Sequence, residues 1–170
     1  MATPTGKKQE WLAWLERMRR YCASQERTAH EVLARLASLG CTGQQAQRIV
    51  SRLREEGYLN DRRYIESVIY GKLYLRGWGK LKISELLHEK GIPAAVIQAA
   101  LGNIDAQEYL AVLRQQALKK LRALKGSAEQ KKQKLAVYLI GKGFEAELVW
   151  AEVEQLVTDT SDPSHFAEIP

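Results

Sequence analysis

Three glycines set the frame of this chain. Gly40, Gly91 and Gly143 lie 51 and then 52 residues apart, and each follows a run of helical period. Counted from each glycine, the apolar positions coincide. Eight before stand Val32, Ile83 and Leu135; four before, Leu36, Leu87 and Leu139; one after, Cys41, Ile92 and Phe144. Six after stand Ala46, Ile97 and Val149; ten after, Val50, Leu101 and Val153; thirteen after, Leu53, Ile104 and Leu156. Six apolar columns held across three copies mark a repeat, and a repeat with apolar spacings of three and four marks tandem helical units.

Each copy reads as three helices. The first holds Gln9–Ser24, Thr28–Leu39 and Thr42–Glu56; the second Asp61–Arg76, Lys80–Lys90 and Pro93–Leu101; the third Asp105–Leu124, Ser127–Lys142 and Glu145–Val157. Thr28-x-x-Glu31, Thr42-x-x-Gln45 and Asp105-x-x-Glu108 have the form of capping boxes. Pro93 stands at an expected first helical position, and the three glycines stand where helices stop. No stretch alternates apolar and polar residues as a half-buried strand does. The expectation is an all-α fold of three tandem three-helix repeats forming an elongated, curved molecule. Its parts are a flexible N-terminus (1–8), repeats over 9–57, 58–103 and 104–157, and a disordered acidic tail (158–170). Trp11 and Trp14 are expected to seal the first end, and Trp150 to join the core of the third repeat.

The stretch YLRGWGKLKI, Tyr74 to Ile83, has glycines on both sides of a tryptophan and a lysine next. A phosphate-cradling loop needs a preceding strand and a longer glycine pattern; neither is present. The segment is expected to be a helix break, with Gly77 as the stop, Gly79 as the turn and Lys80 opening the next helix.

No set of residues converges on catalysis. His30, His88 and His165 have no ligand spacing, Cys22 and Cys41 have no CxxC or CxxH context, and no nucleophile motif occurs. The chain is expected to be a non-enzyme that needs no cofactor and no metal. No apolar window is long enough to span a membrane, and the first ten residues lack the core of a signal peptide. The cysteines read as reduced cytosolic thiols, with a structural disulfide as the other case.

Charge is unevenly spread. The net charge is +6, yet Arg114 to Lys134 holds eight basic residues against one acidic, and Gly143 to Pro170 holds seven acidic and no Lys or Arg. The acidic end could fold back on the basic stretch, or either could face a partner. At equivalent repeat positions Lys80 matches Lys132, Lys82 matches Lys134 and Lys90 matches Lys142; the first repeat has Ala29, Glu31 and Leu39 there. One reading is a basic ridge for phosphates or an acidic protein surface. The other, for Lys90 and Lys142, is complementation of the helix dipole. On the helix from Asp61, Tyr64, Ile65, Val68, Ile69 and Leu75 are expected to face the core, with Arg63, Ser67, Tyr70 and Tyr74 opposite. The two tyrosines suit either a contact surface or packing on a neighbouring repeat.

Within Glu55 to Leu101 stand Gly57, Tyr58, Leu59, Asn60, Asp61 and Tyr64, then Gly77, Lys82, Ile83, Glu85, Leu86, Lys90, Gly91 and Ile92. In this order and spacing the stretch resembles the RecX family, bacterial regulators of the RecA recombinase. KLAVYLIGKGFEAELVWAEVE is similar to the family's C-terminal repeat and TAHEVLARLASLG to its N-terminal one, so the likeness covers about residues 9–157. Tyr64 stands where the family usually has Phe. The resemblance implies three tandem three-helix repeats and a cytoplasmic regulator acting in DNA repair, homologous recombination and the SOS response. Its implied partner is the RecA–single-stranded-DNA filament, bound in the groove, with strand exchange, ATP hydrolysis and coprotease activity dampened. Direct binding of single- or double-stranded DNA is also implied; the chain is expected to be a monomer. The contacts expected from charge, helical face and repeat position are Arg63, Tyr70, Tyr74, Lys80, Lys82, Lys90, Lys132 and Lys134. Gly57, Tyr58 and Asp61 are expected to serve the junction between repeats. The other reading is a general nucleic-acid binder that competes for DNA.

Overall fold

The structure, a computed structural model, describes the backbone of residues 4–159 and the side chains of residues 9–157. The expected acidic tail lies outside the described residues apart from the backbone of 158–159, as do residues 1–3. The described elements are helical throughout: α1 Pro4–Ser24, α2 Ala29–Ser38, α3 Gly43–Glu55, α4 Asp61–Ile69, α5 Lys80–Glu89, α6 Ala94–Gly102, α7 Ala106–Leu121, α8 Ala128–Gly141 and α9 Ala146–Asp159. A wider π-helical turn, Tyr70–Tyr74, continues α4. Among the described residues no helix is long and apolar enough to cross a membrane.

The repeat glycines act through one hydrogen-bond pattern. All three have positive φ, 81°, 78° and 89° for Gly40, Gly91 and Gly143, a region that costs other L-residues about 1–2 kcal/mol. Each donates to the carbonyl three residues back: Ala37, His88 and Ile140. The residue after each donates to the carbonyl five back: Cys41 to Leu36 at 2.9 Å, Ile92 to Leu87 at 3.2 Å and Phe144 to Leu139 at 3.3 Å. This is the Schellman arrangement, which places an apolar residue after the glycine beside one four before it. Two of the six sequence columns are therefore the two halves of one helix-stop motif. The columns are buried throughout, except that Ile104 is only half-buried. Burying a Leu, Ile or Phe side chain stabilises by about 1.5–3 kcal/mol, so these columns carry much of the fold.

Helix starts differ in detail from the sequence expectation. Thr28 and Glu31 form a reciprocal box, but Thr42 makes no side-chain cap. Asp105 accepts from the N–H groups of Gln107 and Glu108, while the Glu108 carboxylate accepts from the Tyr74 hydroxyl instead of closing a box. Ser127 and Gln130 form a second full box at the start of α8, a pattern present in the sequence as S-x-x-Q.

Two burial expectations are corrected. Leu75 is 70% exposed and Leu73 fully buried in its place. The wide turn explains it: Leu75 N–H reaches the Tyr70 carbonyl, five residues back, so one extra residue enters the turn and the inward stripe moves from position 72 to 73. Trp150 is exposed on α9 rather than in the core. Val149, Val153, Leu156 and Val157 already form that helix's buried stripe, and Trp150 stands about 100° round from Val149.

The chain divides into two units. One comprises Met1–Ser67 with Leu87–Ala94, the other Val68–Leu86 with Ala95–Pro170. In the first, Leu15, Met18, Val32, Leu36, Cys41, Ile49 and Leu53 form the core, with Trp11 and Trp14 half-buried against it. Both cysteines are buried and free there. In the second, α7, α8 and α9 pack on one another, and the Tyr109 ring lies 5.5 Å from that of Phe144.

Candidate functional site

The second unit is organised where the loop 76–79 meets the turn 142–144. Gly79 N–H donates to the Lys142 carbonyl at 2.8 Å and Leu81 N–H to the Gly143 carbonyl at 3.0 Å. Between them, Lys80 N–H donates to the Tyr109 hydroxyl at 2.9 Å. That hydroxyl donates in turn to the Glu145 carboxylate at 2.6 Å. Burial and this carboxylate push the phenol well above its ordinary range, so it stays protonated. A helix N-terminus binds anions through its free N–H groups; here the first ones of α5 are already used by protein oxygens. The stretch Tyr74–Ile83 is thus a helix break fastened to a neighbouring turn. Both glycines are required by contact: a Cβ on Gly79 would meet the backbone of Gly143 and Phe144, and one on Gly143 would meet Lys82.

This junction sets cations on aromatic rings. The ammonium groups of Lys72 and Lys82 lie 4.8 and 4.5 Å from the centre of the Trp78 ring. Lys80 lies 4.6 Å from the Tyr109 ring. Lys120 and Lys142 lie 4.9 and 5.6 Å from the Tyr138 ring. Lys142 also donates to the Arg76 carbonyl at 2.9 Å and to Gln116 at 2.7 Å. Each exposed cation–ring contact is worth about 0.5–1 kcal/mol, less than the roughly 1.5–2 kcal/mol of rotamer entropy of a lysine, and it leaves the charge intact. Among the described residues no carboxylate stands within ion-pair distance of Lys72, Lys80, Lys82, Lys120, Lys132 or Lys134. Among the described residues of the acidic end, Glu152 pairs with Arg114 of α7 at 3.5 Å and Glu145 accepts from the Tyr109 hydroxyl.

The expected contact residues fall into two groups. Tyr70, Tyr74, Lys80, Lys82, Lys132 and Lys134 belong to the second unit. Tyr70 is 61% exposed, its ring 6.0 Å from that of Tyr74, whose hydroxyl donates to Glu108 at 2.8 Å. Lys132 is half-buried and Lys134 exposed. Arg63 and Lys90 belong to the first unit and are engaged within it. Arg63 pairs with Glu26 at 3.0 Å and donates to the Gly57 carbonyl at 2.8 Å. That ties it to the junction formed by Gly57, Tyr58 and Asp61, where Tyr58 N–H donates to Leu53 and Arg54 stands 3.6 Å from Asp61. Lys90 pairs with Glu31 at 3.0 Å. Burial alone would raise the Glu31 carboxyl, but the Thr28 N–H and the Lys90 ammonium hold it below its ordinary value. Lys90 and Lys142, equivalent in the repeat, thus both tie a helix end to an earlier segment, Lys90 through Glu31 and Lys142 through the Arg76 carbonyl.

Sequence reasoning missed Lys72, Lys120 and the Trp78 and Tyr138 rings. In an unbroken α-helix Lys72 stands seven after Ile65 and faces the core; the π turn puts Leu73 there instead. The clue for Lys120 was the basic run 114–134, which holds no information about which cation finds a ring.

The comparisons with known proteins follow the same lines. Residues 60–101 match the profile described as "RecX, second three-helix domain" and residues 107–152 that of the third. A regulatory protein RecX of Chlorobaculum tepidum is 30% identical over 131 residues, covering 77% of this chain and 80% of its own length. One of Prosthecochloris aestuarii is 26% identical, covering 82% of this chain and 90% of its own. Among solved structures, that of RecX from Lactobacillus salivarius superposes with a TM-score of 0.79 at 24% identity, covering 88% of this chain and 97% of the other. Helix stops, repeat columns and these likenesses agree: the chain belongs to the RecX family of regulatory proteins.

Proposed function

We propose that this protein is a non-catalytic regulator that binds the RecA–single-stranded-DNA filament, in its groove, and dampens strand exchange, ATP hydrolysis and coprotease activity. Family membership supports the regulatory role. The observation that carries the choice of partner is the lysine set of the second unit: Lys72, Lys80, Lys82 and Lys120 lie over aromatic rings, and these with Lys132 and Lys134 have no described carboxylate within ion-pair distance. A nucleoprotein filament offers phosphates and acidic protein surface together. Lys80, Lys82, Lys132 and Lys134 meet the charge, with Lys72 and Lys120 beside them; exposed Tyr70 and Tyr74 supply apolar contact. Arg63 and Lys90 reach a partner only by giving up their ion pairs. Such a binder regulates by preferring one filament state over another.

The test is a titration into RecA assembled on single-stranded DNA, following ATP hydrolysis, beside a DNA-binding titration without RecA. Hydrolysis should fall at protein concentrations well below those that saturate bare DNA. Unchanged hydrolysis at saturating protein refutes the reading. A second reading, a general nucleic-acid binder acting by competition for DNA, draws on the same lysine–ring contacts, since aromatic rings beside cations suit single strands. It requires inhibition to track saturation of bare DNA. It also requires that reversing the charge of Lys80, Lys82, Lys132 and Lys134 together flatten the salt dependence by about 0.7 per lost phosphate contact.

A further inference from the structure

The seam between α7 and α8 carries a groove of about 440 Å³ lined by Lys120, Leu124, Gln133, Lys134, Val137 and Tyr138. Its walls are apolar and its rim cationic. Val137 is 71% exposed in mid-helix, and Lys120 and Lys134 have no described carboxylate partner. An apolar groove edged by like charges fits an occupant that brings an apolar side chain with acidic neighbours. The chain itself contains such a segment. Past Asp159 it reads TSDPSHFAEIP, with Phe166 and Ile169 among Asp162 and Glu168 and without Lys or Arg.

We propose that residues 160–170 dock on this groove within the same molecule, with Phe166 seated against Leu124, Val137 and Tyr138 and the carboxylates of Asp162 and Glu168 toward Lys134 and Lys120. The reach is sufficient. α8 and α9 are each 14 residues long, are joined by residues 142–145 and pack on each other. That short connection and their packing keep α9 against α8, and each helix is about 21 Å long. The groove uses residues 133–138, in the middle and second half of α8. From Asp159 to Phe166 is seven residues, at most about 25 Å of chain, longer than either helix. Docking does not depend on the function proposed above. Its consequence does: a docked segment covers Lys120 and Lys134 and lowers affinity for an anionic partner, a built-in brake on the basic surface.

The experiment uses the full chain with methyl-labelled valine and reads docking by NMR, without RecA. In Phe166→Ala the Val137 methyl resonances should move by more than a linewidth, because the ring beside them is gone, while those of buried Val149 and Val153 stay. Asp162→Lys with Glu168→Lys should move Val137 the same way. The same variants should bind a polythymidine oligonucleotide several-fold more tightly at low salt. Val137 resonances unchanged in both variants overturn the proposal. A Val137 shift that grows with protein concentration overturns it too, since a second copy would then be the occupant. Docking by NMR with failure of the ATP-hydrolysis test separates this inference from the functional one: the segment docks, and the surface serves another anion.

Discussion

Gly79→Ala tests the junction on which the second unit is built. Gly79 is buried, and a Cβ there would run into the carbonyl of Gly143 and the amide of Phe144, which are backbone atoms in a helix stop and cannot rotate away. Relief requires α5 and the turn 142–144 to part. That stretches Gly79 N–H to Lys142 and Leu81 N–H to Gly143, now 2.8 and 3.0 Å. Two net hydrogen bonds at about 0.5–1.5 kcal/mol each, with about 1–3 kcal/mol where a buried donor is left unsatisfied, give a loss of about 2–6 kcal/mol. For a chain of this size that is a fall in Tm of roughly 4–24 °C by circular dichroism. Gly141→Ala is the control. Gly141 is an exposed glycine on α8 with a negative φ and open space where a Cβ would go. There alanine should stabilise by about 0.4–1 kcal/mol. If Gly79→Ala melts within 2 °C of the parent, on the order of the scan error, the close approach of the two turns is not what holds the unit.

Three further outcomes are expected. Leu73→Ala should cost about 2–5 kcal/mol in urea denaturation and Leu75→Ala less than about 0.5 kcal/mol; equal costs would mean that α4 continues without the wide turn. Glu31, held below its ordinary value, contributes stability that is present above its unfolded pKa of about 4.3 and is lost as pH falls through the lower folded value. Glu31→Gln should therefore lower stability at neutral pH and flatten the acid limb by up to about 1.4 kcal/mol per pH unit; an unchanged acid limb would refute the Thr28–Glu31–Lys90 arrangement. The Cys22 thiol, pushed up to about 11 by burial, should react with an aromatic disulfide reagent only as fast as the unit opens. Labelling of folded protein at the rate of a free thiol would show that it is accessible.

Much of this protein was legible as sequence because its decisive signals are local. A glycine at positive φ, an apolar residue four before it and another one after it make a helix stop within six residues. The repeat columns could thus be read without knowing what they pack against. The tertiary structure decided what becomes of the charges and rings. Lys90 and Lys142 occupy one repeat position and Lys82 and Lys134 another. Yet Lys90 is engaged by Glu31, Lys142 by a carbonyl, and Lys82 by Trp78. Their partners lie far along the chain or in a loop whose course no periodicity encodes. Where the π turn falls was likewise hidden, and with it Leu73, Leu75 and Lys72, because one inserted residue in a turn leaves no mark on composition and rotates everything after it. Local hydrogen bonding is written residue by residue, whereas the fate of a long flexible cation depends on which neighbour folding brings within a few ångströms.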